Sequence, residues 1–421
     1  MEQFRIQGTS KIAGTIRVAG AKNHVLKAIP ASLLSKEPTI LSNVPEILDV
    51  QVMFDIVRAL GGNVKHLGGS RWRIDPSKLA SAELPAELAH KLRASVMFLA
   101  PLLARFGKAI LPHPGGCVIG RRPIDMFIDG FAQMGVRVQT TSRAYIFHAE
   151  NGLHGGDVTF RRITVTGTES MLIAAASARG KTKITFAACE PEVEALGNQL
   201  NAAGGHIRGA GTHTIEIEGS TRLKGTNTAI IPDRIEAGTL TILGLLTRGV
   251  LNIEHCNPEH FRVFLHLLES MGARLHVTGT AITIPTQSKL RSPKELVVHE
   301  YPGVVTDLQS PFTVLATQAH GQTLIHDPIY EGRLFFTQWL NKMGASIIMC
   351  DPHRVVVNGP TPLRGTKMES PDIRSGIALV LAAIVARGSS LIDHANLIDR
   401  GYERLEQRLT AVGAKIQRLS V

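Results

Sequence analysis

Aromatic residues are scarce. The 14 Phe, 4 Tyr and 2 Trp make up 5% of 421 residues, too few for the stacked platforms that hold single-stranded nucleic acid. Cysteine is scarce as well: Cys117, Cys189, Cys256 and Cys350 are far apart and form no CxxC. That pattern argues against a disulfide framework and against metal ligation. The longest apolar runs, SVMFLAPLLA at 95–104 and GIALVLAAIVA at 376–386, fall short of the ~20 residues needed to cross a bilayer. The opening stretch MEQFRIQGTSKIAGTIRV lacks the charged-then-apolar layout of a signal peptide. These absences lead us to expect a soluble, cytoplasmic protein without membrane insertion.

What is present is ordinary in amount. Forty Gly and 21 Pro suit a globular chain of this length, and 44% hydrophobic residues are enough for two or three domains with real cores. The 46 Lys and Arg exceed the 35 Asp and Glu, giving a net charge of +11. Such a balance fits a basic surface, nucleic acid or small acidic substrates. The dispersed Lys and Arg, with so few aromatics, argue against nucleic acid.

An internal repeat organises the chain. A helix-like segment ending in apolar-Gly-(Gly/Ala/Val)-x-apolar recurs as LGGNV (60–64), MGVRV (134–138), AGGHI (203–207), MGARL (271–275), MGASI (343–347) and VGAKI (412–416). The glycines at 61, 135, 204, 272, 344 and 413 are 74, 69, 68, 72 and 69 residues apart. Each predicts a helix stopped by a left-handed glycine and a turn into a strand. A second element alternates with it: a charged residue, a nearly all-apolar run, and usually a closing Gly. RASVMFLAPLLARFG (93–107), ESMLIAAASARG (169–180), EAGTLTILGLLTRG (236–249), DLQSPFTVLATQAHG (307–321) and RSGIALVLAAIVARG (374–388) follow the form. The first copy, KNHVLKAIPASLLSKEP (22–38), lacks the Gly. Helices apolar on nearly every side belong in a domain interior, so each unit pairs a buried helix with an amphipathic outer one. The six units are expected to pack as two groups of three.

The charged residues that open the buried runs are Lys22, Arg93, Glu169, Glu236, Asp307 and Arg374. A helix start is partly positive and holds unpaired N–H groups. Glu169, Glu236 and Asp307 there fit an ordinary cap or solvated helix start as well as a functional role. Lys22, Arg93 and Arg374 oppose the dipole, a conflict that an anionic ligand would resolve. Residues 114–123, PGGCVIGRRP, read as an exposed loop in which Arg121 and Arg122 should lower the pKa of the Cys117 thiol. The other three cysteines read as small apolar residues.

With AGAKN (19–23), LRAS (92–95), PDRIEAGT (232–239) and IDRGYERLE (398–406), the loop PGGCVIGRRPID resembles the enolpyruvyl transferase family, in its branch that acts on UDP-N-acetylglucosamine. The resemblance runs from FRIQG at 4–8 to GAKIQR at 413–418. It implies an α/β fold of six repeated units, three per domain, as a two-domain inside-out α/β barrel. The lobes would be 22–232, carrying the Cys loop, and 1–21 with 233–421, with the active site in the cleft between them. The implied reaction moves enolpyruvyl from phosphoenolpyruvate to the sugar 3-hydroxyl, the first committed step of peptidoglycan synthesis. Cell wall biogenesis, cell shape, the cell cycle and cell division would depend on it, and fosfomycin would target it. No metal, cofactor or obligate protein partner is implied. A sister activity on shikimate 3-phosphate lacks the PGGC loop.

The resemblance also assigns roles. Cys117 matches the proton donor, with Lys22 sharing the task, and Asp307 the base beside the 3-hydroxyl. Lys22, Asn23, Arg122, Arg333, Arg374 and Arg400 match phosphoenolpyruvate contacts. Arg93, Arg122, Pro123, Ile124, Asp125, Met126, Arg162, Thr164, Val165, Asp307 and Ile329 match the nucleotide-sugar contacts. Several arginines and a lysine suit a substrate bearing both phosphate and carboxylate. His24, Arg121, Phe127, Ser170 and Val305 depart from the residues usual at their positions.

Overall fold

The computed structural model describes residues 2–9, 11–113, 124–287 and 289–420. All six repeat glycines stop helices in the left-handed region, with φ between +82° at Gly135 and +104° at Gly413. A strand follows each of them, the first being Asn63–Gly68 and the last Lys415–Ser420. The closing glycines of the apolar runs, Gly107, Gly180, Gly249, Gly321 and Gly388, also have positive φ. Only glycine takes that conformation without cost, so the repeat glycines stop the outer helices; of the closing series only Gly107 caps its helix, the other four lying three to five residues past the helix end.

The buried runs form six inner helices: α1 (Lys22–Ala31), α2 (Leu99–Phe106), α3 (Val165–Ala176), α4 (Arg234–Leu246), α5 (Thr306–Ala316) and α6 (Ile373–Val385). The second is shorter than its run. Arg93–Phe98 forms a 3₁₀ turn before α2, consistent with Pro101, which has no N–H for the carbonyl one turn back. Glu169 does not open its helix; α3 starts four residues earlier, behind the Thr164 cap, which leaves Glu169 in the interior. Glu236 and Arg374 likewise follow an Asp N-cap, Asp233 and Asp372.

Among the described residues, six small sheets accompany the helices. In three units the strand before an inner helix runs parallel to the strand after it: Asp157–Thr159 with Lys181–Thr185, Glu295–Val297 with Gly321–His326, and Lys367–Glu369 with Ser389–Asp393. Around α2 a single Glu83–Ile110 bridge does the same. The remaining two units exchange partners. Gly14–Arg17, which precedes α1, pairs with Leu251–Glu254 after α4, whereas Asn227–Ala229, which precedes α4, pairs with Thr39–Ser42 after α1. That exchange makes one compact unit of 20–113 and 124–231, and another of 2–19 and 232–420. Each has its own apolar core around three inner helices. None of the described sheets closes on itself, so "barrel" does not describe hydrogen-bonded closure. No helix among the described residues is long and apolar enough to cross a membrane.

Candidate active site

In the unit built around α1, Gly20 admits no side chain, because a Cβ there would run into the Asn43 carbonyl oxygen. The Ala21 N–H then donates to the Ile231 carbonyl at 2.7 Å, and α1 begins at Lys22 without a side-chain cap or a first-turn acid. Its dipole conflict is met within the protein. Lys22 is buried, and its Nζ lies 2.6 Å from Oδ2 of the equally buried Asp49. Asn23 beside it is half-buried. Asp49 was not singled out from the sequence, and 26 intervening residues hide the pairing.

Arg93 is half-buried and opens the 3₁₀ turn before α2. Ile124 is buried and precedes the outer helix Asp125–Gln133; Asp125 and Met126 are half-buried in its first turn. Thr164 caps α3, its Oγ1 accepting the Gly167 N–H at 3.2 Å. Val165 is half-buried and Arg162 exposed. Arg161, one position earlier, reaches both Asp125 and Asp129, at 3.1 and 2.7 Å. Cys117, Arg121, Arg122 and Pro123 lie outside the described residues. Phe127 is buried in the core of this unit.

The other unit holds a denser cluster. Asp307 is the second residue of α5, and Pro311 lacks the N–H that would close a helical turn onto its carbonyl. Its carboxylate lies 3.5 Å from Arg333 Nη2 and 3.3 Å from Arg374 Nη2. Both arginine side chains are almost wholly buried, at 3% and 7% exposure, while that of Asp307 keeps 25%. Burial alone would raise the Asp307 pKa; Arg374, Arg333 and then Arg234 overcome it and hold the carboxyl well below its ordinary value. The same attraction raises Arg374 despite its burial.

Asp372 caps α6 by accepting the N–H groups of Arg374 and Ser375, and lies 3.5 Å from Arg333. Arg374 also donates to the Tyr402 hydroxyl at 3.4 Å, and burial pushes that phenol up to about 12. Arg234, 5.3 Å from the centre of the Tyr301 ring, directly follows the Asp233 cap, whereas Ile373 separates Arg374 from Asp372. The parallel PDRIEAG and PDIRSG segments were the signal for that second cap. Ile329 is 38% exposed, its N–H held by Asp327 Oδ1 at 3.0 Å. Arg400 is half-buried. The structure thus brings Asp307, Arg333 and Arg374 together as an ionised carboxylate between planar cations.

A model of the EPSP synthase (3-phosphoshikimate 1-carboxyvinyltransferase) family matches residues 6–409. The chain belongs to the EPSP synthase family of enolpyruvyl transferases. Among its relatives, UDP-N-acetylglucosamine 1-carboxyvinyltransferase of Treponema denticola is 41% identical, with 99% of both chains covered. The Koribacter versatilis protein of the same name is 40% identical over 100% of this chain and 97% of its own. The solved enolpyruvyl transferase NikO from Streptomyces tendae superposes with a TM-score of 0.90 at 25% identity, covering 100% of this chain and 99% of its own. An EPSP synthase from Acinetobacter baumannii reaches 0.76 at 18% identity, with both chains wholly covered, and shows the fold alone. This enolpyruvyl transferase has no group of three or more His, Cys, Asp or Glu suited to a metal among its described residues.

Proposed function

We propose that this enolpyruvyl transferase moves the enolpyruvyl group of phosphoenolpyruvate to the 3-hydroxyl of UDP-N-acetylglucosamine and releases phosphate, acting in the cytoplasm to supply peptidoglycan synthesis. The observation that carries the reading is Asp307, ionised and partly exposed between Arg333 and Arg374. The nearly full-length likeness to the carboxyvinyltransferases of Treponema and Koribacter supports the acceptor.

In this reading Lys22, Asn23 and Arg122 hold the phosphate side of phosphoenolpyruvate, and Arg333, Arg374 and Arg400 its carboxylate. Cys117 gives a proton to the methylene carbon while the sugar oxygen bonds to the adjacent carbon and its proton passes to Asp307. The Cys117 thiolate then takes a methyl proton back, the double bond re-forms as the C–O bond to phosphate breaks, and the proton held by Asp307 leaves with the phosphate. A carboxylate held so far down is a poor base. The bound carboxylate occupies the same guanidiniums, weakens their hold on Asp307 and raises its basicity when the hydroxyl is present. The remaining sugar-nucleotide contacts fall to Arg93, Arg162, Thr164, Val165, Ile329 and the 123–126 segment.

Phosphate release tests the reading. It should require phosphoenolpyruvate together with UDP-N-acetylglucosamine, fail with shikimate 3-phosphate, and disappear in Cys117→Ser. Fosfomycin should add its mass to Cys117 when the sugar nucleotide is present. Release with shikimate 3-phosphate instead would overturn the acceptor, and a thiol left unmodified would overturn the loop's role.

A further inference from the structure

Beneath the first turn of α1 lies a group of buried polar side chains that the proposed reaction does not use. Lys27 is 4% exposed. Its Nζ donates to the Asn23 carbonyl one turn back, at 2.7 Å, and lies 3.2 Å from Oε2 of Glu169 on α3. Glu169 is wholly buried. His24, 1% exposed, accepts the Ile231 N–H on Nδ1 at 3.2 Å, while the Ile231 carbonyl accepts from Ala21. Lys22 and Asn23 are therefore fastened on both sides, through Ala21 and His24 to the Ile231 peptide and through Lys27 to α3.

Stability does not explain the Lys27–Glu169 pair. Val25 and Ile29, two positions either side of Lys27, and Leu172 and Ile173, one turn after Glu169, are fully buried members of the apolar core. In such a core a well-packed apolar pair serves a fold at least as well as a desolvated ammonium and carboxyl group. What an apolar side chain cannot do is hold the Asn23 carbonyl.

We propose that Lys27 is a positioning residue for enolpyruvyl transfer: by bridging the Asn23 carbonyl and Glu169 it sets the first turn of α1, and with it Lys22 and Asn23, for the phosphoenolpyruvate anion. The assignment rests on the function proposed above. The surrounding charges agree with it. Burial pushes Glu169 up to about 8, Lys27 opposing and Glu192 and Glu190 adding to the rise. Burial lowers His24 to about 4, with Glu192 opposing and Lys27 assisting, so its ring stays a neutral acceptor near pH 7. Glu169 therefore changes charge beside Lys27 near pH 8.

The test compares the full-length parent with Lys27→Met, Glu169→Gln and the double variant. Thermal melting is measured with kcat and both KM values from pH 6.5 to 9. Lys27→Met should raise the KM for phosphoenolpyruvate by about ten- to a hundredfold, with kcat and the sugar-nucleotide KM nearly unchanged, and the double variant should melt no lower than the parent. Glu169→Gln should remove an inflection near pH 8 from the phosphoenolpyruvate KM profile. Should Lys27→Met fail to fold, the double variant, which leaves neither charge buried, carries the comparison. A folded Lys27→Met or double variant with the parental KM and pH profile overturns the assignment. Calorimetric titration of phosphoenolpyruvate separates the two claims. A variant that binds it as tightly as the parent counts against Lys27; a parent that binds it without turning over UDP-N-acetylglucosamine counts against the acceptor alone.

Discussion

Glu169 on α3 and Asp307 on α5 are both carboxylates on inner helices, both face cations, and their pKa values move in opposite directions. Glu169 meets one ammonium at 3.2 Å with no exposed surface and is raised to about 8. Asp307 meets two guanidiniums, keeps a quarter of its side-chain surface, and is held low. One point charge does not offset complete desolvation, whereas two planar multidentate donors and partial hydration do. Only the second arrangement leaves an ionised carboxylate within reach of a ligand.

The largest expected effect comes from removing the exposed member. Asp307→Asn should lower kcat by about 10²–10⁴-fold, read as phosphate release; turnover near the parental rate would strip Asp307 of the base role. Next is the cation count. Arg374→Lys replaces a planar donor with a point charge, and should lower kcat/KM for phosphoenolpyruvate by about ten- to a hundredfold. It should also let Asp307 rise toward its ordinary value, so that the acid limb of the kcat/KM profile moves to higher pH. An unmoved limb would mean that the arginines do not set the carboxylate.

Stability against pH sharpens the other side. Glu169 binds its proton more tightly in the folded chain (about 8 against 4.5), so its contribution is present below pH 4.5 and is lost as the pH rises to 8. His24 binds its proton less tightly (about 4 against 6.5), so its contribution grows from pH 4 to 6.5. The two slopes oppose each other below 6.5, and only that of Glu169 remains above. Glu169→Gln should therefore flatten the melting temperature between pH 6.5 and 8, as followed by circular dichroism. The smallest effect is away from both clusters. Gly272 has φ +91° and open space around it, so Gly272→Ala should cost about 1 kcal/mol of backbone strain in denaturant titration and leave activity intact.

The sequence carried the periodic features and missed the pairings. Every repeat glycine marks a helix end because a left-handed residue is a local requirement, visible in one residue type at one spacing. Lys22, Asp307 and Arg374 stood out because each opens an apolar run. Glu169 was misplaced by the same rule, since a charge at the edge of an apolar run looks alike whether it begins a helix or is buried a turn inside one. Asp49, Lys27 and Tyr402 acquire their roles only when distant segments pack. Nothing local distinguishes the Asp that meets Lys22 from one in a surface helix.

The exchange of parallel strands between the first and fourth units has a consequence for biosynthesis. Residues 20–231 can complete their sheets as soon as Asn227–Ala229 emerges. Glu2–Gln7 and Gly14–Arg17, made earlier, have no strand to join until Leu251–Glu254, Ser389–Asp393 and Lys415–Ser420 follow. On the ribosome the nascent chain therefore holds one finished lobe while its leading segment waits, two unsatisfied ribbon edges in need of shielding until the last strand leaves the exit tunnel.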